Sequence, residues 1–235
     1  MGVEYKRIVK SNIGKLPKGK RIGWVMGTGR CGTASFWNIL NNQRGVVCEA
    51  EFKRCSWNPT INAFLHNITR MYGVAVFYKH IYLSVGSAMW FLPYTDIIME
   101  NFPDSKIICL KRDKEGTVKS WISKATTPKG AFRNWFTNTK SKYWGKSNLD
   151  GSAKHLFHSY YNCFPHFDLP FEEAVGAYYD EYYRLAEEME GKYPNNFKIY
   201  PSPLVLNNSL LQVNALEWLG VRNPKFQKIK RNESW

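Results

Sequence analysis

Apolar runs of strand length alternate along the chain with stretches in which apolar residues recur at helical spacing. The apolar runs predict five strands, over 21–26, 45–48, 74–78, 106–111 and 197–200. The stretches between them predict helices over 33–41, 94–101, 114–124, 171–193 and 209–219, the last one ending at Gly220. This alternation predicts an α/β fold, a three-layer αβα domain with a mostly parallel sheet of about five strands.

One segment fits neither pattern. Residues 125–170 are rich in Lys, Asn, Ser, Gly and aromatic residues, with no sustained period of either kind. We therefore predict a long loop region or lid there, within a single domain that spans residues 1–235.

The composition is that of a basic globular protein. Its 235 residues include 33 Lys and Arg against 19 Asp and Glu, a formal net charge of +14, and 44% of them are hydrophobic, enough for a sizeable core. The charge predicts an anionic partner and leaves open a nucleic acid, an acidic membrane surface or a small polyanion. The five cysteines form no Cys-x-x-Cys pair, and we find no signal peptide or membrane span, so we expect a cytoplasmic location.

The strongest local signal is a glycine-rich segment, Gly27 to Ser35 (GTGRCGTAS), between the first predicted strand and the first predicted helix. Glycines let the backbone approach a ligand closely, and the N–H groups that open the helix attract an anion. The segment has the glycine spacing of a P-loop, but Thr33 stands where the phosphate-binding lysine belongs and Ala34 where the Mg²⁺-binding hydroxyl belongs. The segment therefore predicts a P-loop-like anion site and argues against a metal-dependent NTPase.

A second candidate anion site follows the fourth predicted strand. Arg112 comes directly after that strand, and Ser120 lies on the next predicted helix. Because the carboxyl ends of parallel strands share one edge of the sheet, we expect both to face the same crevice as the glycine-rich segment. A guanidinium and a hydroxyl group at that position could bind a second phosphate.

Together the two segments, GTGRCGTAS and FPDSKIICLKRDKEGTVKS, resemble the 5′-phosphosulfate loop and the 3′-phosphate motif of the sulfotransferases that use 3′-phosphoadenosine 5′-phosphosulfate (PAPS). The resemblance runs through residues 21–124 and more thinly to the C-terminus. It implies transfer of a sulfuryl group from PAPS to a hydroxyl or amine, with adenosine 3′,5′-bisphosphate as the product and no metal. The acceptor would be a small molecule, glycan or peptide, shaped by residues 125–170, and a nucleic-acid partner is not expected.

The resemblance also implies roles for individual residues. Arg30 would lie at the sulfate end of the donor, and Arg112 and Ser120 would bind its 3′-phosphate. The remaining residues of the loop would cradle the 5′-phosphate: Gly29, Cys31, Gly32, Thr33, Ala34 and Ser35. Four residues near the C-terminus are the best candidates for the family's last cofactor segment: Lys228, Lys230, Arg231 and Asn232.

The reaction needs a base to take the proton of the acceptor. The chain is similar here to the branch with a glutamate base, which includes tyrosylprotein and bacterial glycolipid sulfotransferases, and ungapped alignment of the loops puts that base at Glu51. Glu49 is the second candidate, because one gap moves the alignment onto it and alternation along a strand points both carboxylates the same way.

Lys79 and His80 follow the predicted strand 74–78, which would place them at the edge of the crevice. By resemblance, Lys79 would stabilise charge on the leaving group and His80 would be the alternative base. The sequence departs here from the Lys-x-His pattern of the cytosolic branch of the family.

Two other functions remain open on the sequence. Lysine, arginine and aromatic residues interleave over 124–146, as in nucleic-acid-binding proteins, and a P-loop could also serve a small-molecule kinase. The set His155, His158, Cys163 and His166 contains zinc ligands by residue type, but its spacing matches no common zinc site, and we expect no metal.

Overall fold

Five parallel strands form the centre of the protein in the computed structural model, which describes residues 15–50, 61–125 and 169–229. The strands lie in the order β2-β3-β1-β4-β5. Their bounds are Arg21–Met26 (β1), Val46–Ala50 (β2), Leu83–Ser87 (β3), Lys106–Lys111 (β4) and Phe197–Pro201 (β5). The predicted α/β class and the parallel five-stranded sheet are confirmed.

Helices cover both faces of the sheet. Those in the described ranges are Thr33–Asn41 (α1), Ile61–Phe77 (α2), Thr95–Asn101 (α3), Lys114–Ala125 (α4), Phe171–Lys192 (α5), Ser202–Asn207 (α6) and Ser209–Leu219 (α7), with a 3₁₀ helix over Met89–Tyr94. None of them is long and apolar enough to cross a bilayer.

Alternate residues of the central strands serve the two faces, which explains their nearly continuous apolar sequence. In β1, Trp24 packs in one core with the 3₁₀ helix and α5, whereas its neighbour Val25 packs in a second core with α1 and α7. Helix α7 ends at Gly220 with φ 98°, as its sequence predicts, because the left-handed conformation suits a residue without Cβ.

The prediction of a strand over 74–78 is wrong. Those residues belong to the end of α2 and the turn after it, and the third strand lies further on, at Leu83–Ser87. Helix α2 buries Ile68, Met71 and Ala75, a spacing of three and four residues that a short window over 74–78 does not contain. The strand itself reads LSVGS, with two serines and a glycine, and is a strand because neighbours pair with it on both sides.

Candidate functional site

The glycine-rich segment forms the turn from β1 into α1, at the carboxyl edge of the sheet. Gly29 and Gly32 have φ values of 73° and 96°, and Arg30 between them has φ 56°. A side chain at Gly29 would stand 2.7 Å from the Trp121 ring, so this position requires glycine for space as well as for conformation. Because Gly32 is the N-cap residue and has no side chain, the positive end of α1 opens without a side-chain cap.

Three polar groups from separate elements converge beside this turn. The Arg30 Nε donates to the Ser120 Oγ at 3.0 Å, and the Arg112 Nη1 donates to the Arg30 carbonyl oxygen at 3.4 Å. The structure thus brings together the residues that the sequence assigned to two anion sites, from the β1–α1 turn, the end of β4 and helix α4. Arg112 also has a carboxylate beside it, that of Asp113, which lies 3.6 Å from its Nε and is well exposed.

The closeness of Arg30 and Arg112 makes the positive charge on Arg30 less favourable. Partial burial of the Arg30 guanidinium, and then repulsion from Arg112, lower the pKa of Arg30. Two guanidinium groups held close together and partly out of water repel each other, and an anion between them relieves the repulsion. The site therefore has the charge distribution of an anion receptor.

A row of tyrosines on α5 holds the backbone of this site, and sequence reasoning assigned that helix no chemistry. Tyr178 donates to the Thr28 carbonyl at 2.9 Å, Tyr179 to the Arg112 carbonyl at 2.6 Å and Tyr183 to the Leu110 carbonyl at 2.7 Å. Tyr182 donates to the carbonyl of Met89, in the 3₁₀ helix, at 3.1 Å. All four rings are buried, and a buried phenol needs an acceptor. The choice of tyrosine rather than phenylalanine on a core helix is the signal that sequence analysis overlooked.

A cleft of about 420 Å³ opens beside Arg112, at the carboxyl ends of β4 and β5. Its walls combine charged residues at the end of β4 and just after it, one tyrosine of α5 and apolar residues from β5 and α6: Lys111, Arg112, Asp113, Tyr179, Ile199, Pro201, Pro203 and Leu204. The cleft therefore offers an apolar surface next to the Arg112 cation.

The cysteine of the turn has a structural role. Cys31 is fully buried, and burial raises the pKa of its thiol to about 11, so the side chain stays neutral at physiological pH. A fully buried, neutral thiol does not bind an anion, so the Cys31 side chain takes no part in the predicted 5′-phosphate cradle.

The carboxylate of Glu49, near the end of β2, is already engaged. Its Oε1 accepts from the Arg70 Nη2 at 2.9 Å, and its Oε2 contacts the Arg70 Nε, so both oxygens are held in a bidentate pair. The pair with Arg70 fixes the orientation of the Glu49 carboxylate. The first candidate base, Glu51, lies outside the described residues.

The expected position of Lys79 and His80 at the crevice is wrong. They lie in the turn before β3, and Lys20 donates to the carbonyls of Tyr78 and Lys79 at 2.9 and 3.1 Å. Because Leu83 pairs with Arg21, the first residue of β1, this turn is at the amino edge of the sheet. One strand length, roughly 20 Å, separates it from the glycine-rich turn, so neither side chain reaches the chemistry proposed for it.

The C-terminal stretch is held against α7. The Gln227 N–H donates to the Gln212 side chain at 2.7 Å, and the Gln212 amide donates to the Gln227 carbonyl at 3.2 Å. Gln212 lies near the start of α7 and Gln43 binds the backbone of Lys225, so the stretch that ends at Lys228 runs beside α7 from the amino edge of the sheet. Lys230, Arg231 and Asn232 lie outside the described residues, as do the four candidate zinc ligands. Within the described ranges, no three His, Cys, Asp or Glu side chains form a group that could hold a metal.

Comparison with known proteins adds the fold relationship. No protein-family model matches the chain, and no characterised protein matches it by sequence. Among solved structures, a sulfotransferase from Alicyclobacillus acidocaldarius superposes with a TM-score of 0.53, covering 92% of this chain and 87% of that one at 14% identity. The fold is shared with a sulfotransferase. At that identity the likeness concerns the arrangement of strands and helices and leaves the chemistry to the residues of the site.

Proposed function

We propose that the protein is a sulfotransferase that moves a sulfuryl group from PAPS to a hydroxyl or amine acceptor. The observation that carries the proposal is the convergence of Arg30, Arg112 and Ser120 beside a glycine-rich turn, on a fold shared with a sulfotransferase. A donor with phosphate groups at both ends of a nucleoside fits a site with cations, an uncapped helix start and an adjoining apolar cleft.

The residues of the chain divide into binding and reacting groups in this proposal. Arg112 and Ser120 bind the 3′-phosphate, and the N–H groups at the start of α1 bind the 5′-phosphate. Arg30 neutralises charge on the sulfuryl oxygens and on the departing phosphate. The acceptor oxygen or nitrogen attacks sulfur, the bond from sulfur to the phosphate oxygen breaks, and the base takes the acceptor's proton. No step requires a metal.

Glu51 is our first choice as the base. Glu49 is the second choice, because its carboxylate already has a structural partner in Arg70. Lys79 and His80 are not part of the proposed mechanism, since they lie at the other edge of the sheet.

The test is ligand-dependent thermal stability with adenosine 3′,5′-bisphosphate. At a concentration one hundred times its Kd, the ligand should stabilise the protein by about 2.7 kcal/mol, a rise in Tm of about 5–10 °C. Arg112→Ala should abolish that rise. Lys119→Ala is the matched control: it removes an exposed cation from the same helical region, one that pairs only with Glu115 among the described contacts, and should keep the rise.

Two outcomes would overturn the proposal. One is the absence of any rise at millimolar bisphosphate. The other is a larger rise with ATP and Mg²⁺ accompanied by ATP turnover, which would favour the small-molecule kinase instead. Nucleic-acid affinity that survives Arg112→Ala, without bisphosphate binding, would favour the nucleic-acid-binding alternative.

A further inference from the structure

The amino edge of the sheet carries a basic surface that the proposed reaction does not use. It is formed by four chain segments, 15–21, 43–45, 78–82 and 220–225, and we call it the amino-edge surface. These segments contain no Asp or Glu. Their cations are Lys15, Lys18, Lys20, Arg21, Arg44, Lys79, Arg222 and Lys225.

Contacts between the segments make this a single surface. The Lys20 ammonium donates to carbonyls of the 78–82 turn. The Arg222 guanidinium stacks on the Tyr82 ring at 4.3 Å and donates to the Gly19 carbonyl at 3.2 Å. Gln43 exchanges hydrogen bonds of 3.0 and 2.9 Å with the backbone of Lys225. The cations are therefore presented from a fixed scaffold on one side of the molecule.

Two aromatic residues stand at the same edge. The side chain of Phe77, the last residue of α2, is 80% exposed, and that of the next residue, Tyr78, is 54% exposed. The Tyr78 ring makes an edge contact with that of His80 at 6.1 Å, which orients it within the turn. The Phe77 side chain packs against no core within the described part of the fold. It lies beside an exposed tyrosine and several lysine and arginine residues.

We propose that the amino-edge surface docks the protein on a membrane that contains anionic phospholipids. Lysine and arginine side chains gain about 1 kcal/mol each near such a surface, which is about a fivefold gain in affinity per cation. Aromatic rings favour the headgroup level, where Phe77 and Tyr78 can enter without unfolding any element. A nucleic acid would match the charge as well, and an unpaired base could stack on an exposed ring, so the experiment below includes an oligonucleotide to separate the two partners.

The orientation that follows is specific. Because the amino-edge surface and the glycine-rich turn lie at opposite ends of the same parallel strands, a docked molecule presents its anion site to the aqueous side. This inference does not depend on the proposed function, since it uses none of the residues assigned to it.

Sedimentation with vesicles tests the inference. Vesicles of phosphatidylcholine with 30% phosphatidylserine should bind the full-length protein, and vesicles of pure phosphatidylcholine should bind it far less. The double variant K18Q/R44Q should weaken binding about 25-fold, and Phe77→Ser should weaken it about tenfold.

Matched controls separate this site from a general charge effect. K114Q/K119Q removes the same net charge from exposed positions on α4, and Leu210→Ser removes an apolar side chain that is 76% exposed at the start of α7. Both controls should bind vesicles like the unmodified protein. Binding that is indifferent to phosphatidylserine overturns the inference, and so does equal weakening by the variants and their controls. A third result would also overturn it: Phe77→Ser binds vesicles normally, and K18Q/R44Q loses affinity for a single-stranded oligonucleotide. That result would identify the surface as a nucleic-acid site.

Discussion

The hydrogen bond from Tyr179 to the Arg112 carbonyl gives the sharpest test of how α5 shapes the anion site. At 2.6 Å it is the shortest of the four tyrosine bonds, and its acceptor belongs to the residue assigned to the 3′-phosphate. Burial raises the pKa of Tyr179 to about 12, so the phenol remains a donor at physiological pH. Tyr179→Phe removes one hydroxyl and little else.

The expected loss has two parts. Leaving the carbonyl of Arg112 without this donor should lower the free energy of unfolding by about 1.5 kcal/mol, or about 3–6 °C in Tm. The released backbone should also cost Arg112 about half of a charge-assisted hydrogen bond worth about 2 kcal/mol, which weakens bisphosphate binding about fivefold. Calorimetric titration with adenosine 3′,5′-bisphosphate measures this second part.

Tyr182→Phe is the matched control, because it removes a hydroxyl that also donates to a backbone carbonyl from the same helix. Its acceptor is the Met89 carbonyl, in the 3₁₀ helix rather than at an anion-binding residue. It should lower Tm by a similar amount and leave bisphosphate affinity unchanged. Equal affinities for both variants and the unmodified protein would refute the reasoning that α5 positions Arg112, while binding by the unmodified protein would leave the proposed function standing.

Two further predictions concern titratable groups. Glu51→Gln should reduce turnover by about 10²–10⁴-fold and retain bisphosphate binding. Glu49→Gln should retain most turnover and lower the free energy of unfolding by about 1 kcal/mol, because it weakens the pair with Arg70. The reverse pattern in steady-state assays would assign the base to Glu49. Burial raises the pKa of the Cys31 thiol to about 11 in the folded protein from a usual 9.0, so its contribution to stability is complete below pH 9 and is lost as the pH rises towards 11. In urea unfolding from pH 8 to 10.5, the free energy of unfolding should therefore decline less for Cys31→Ala than for the unmodified protein. Parallel curves for the two proteins would contradict this.

The parts of the fold that could be predicted from the sequence have strong local signals. The turn from Gly27 to Gly32 needs backbone conformations that few residues other than glycine adopt, and β4 is a compact apolar run after a turn-forming Pro-Asp pair. Arg112 and Ser120 could be placed because their position depends only on the direction of a parallel strand and the helix after it.

The failures have a different physical origin. The sequence LSVGS forms β3 because it pairs with strands on both sides, and its residues have no strong strand preference of their own. The sequence pattern therefore favours a strand at the apolar end of α2 instead. This wrong strand placement puts Lys79 and His80 at the carboxyl edge in the prediction, whereas they lie at the amino edge in the structure. The tyrosine row on α5 escaped prediction because its acceptors are carbonyl groups far away in the chain, which only the folded structure brings within reach.

The separation along the chain between the tyrosines of α5 and their acceptors affects the order in which the protein folds. Tyr178 and its acceptor Thr28 are 150 residues apart in the chain, and the other three tyrosine bonds span 67 to 93 residues. Such contacts close long loops and form late in folding. A nascent chain that ends before residue 171 contains the glycine-rich turn, Arg112 and Ser120 but lacks the helix that secures their backbone. The first 120 residues therefore contain all three residues of the proposed anion site, and their backbone reaches its final position only after α5, near the end of the chain, has folded.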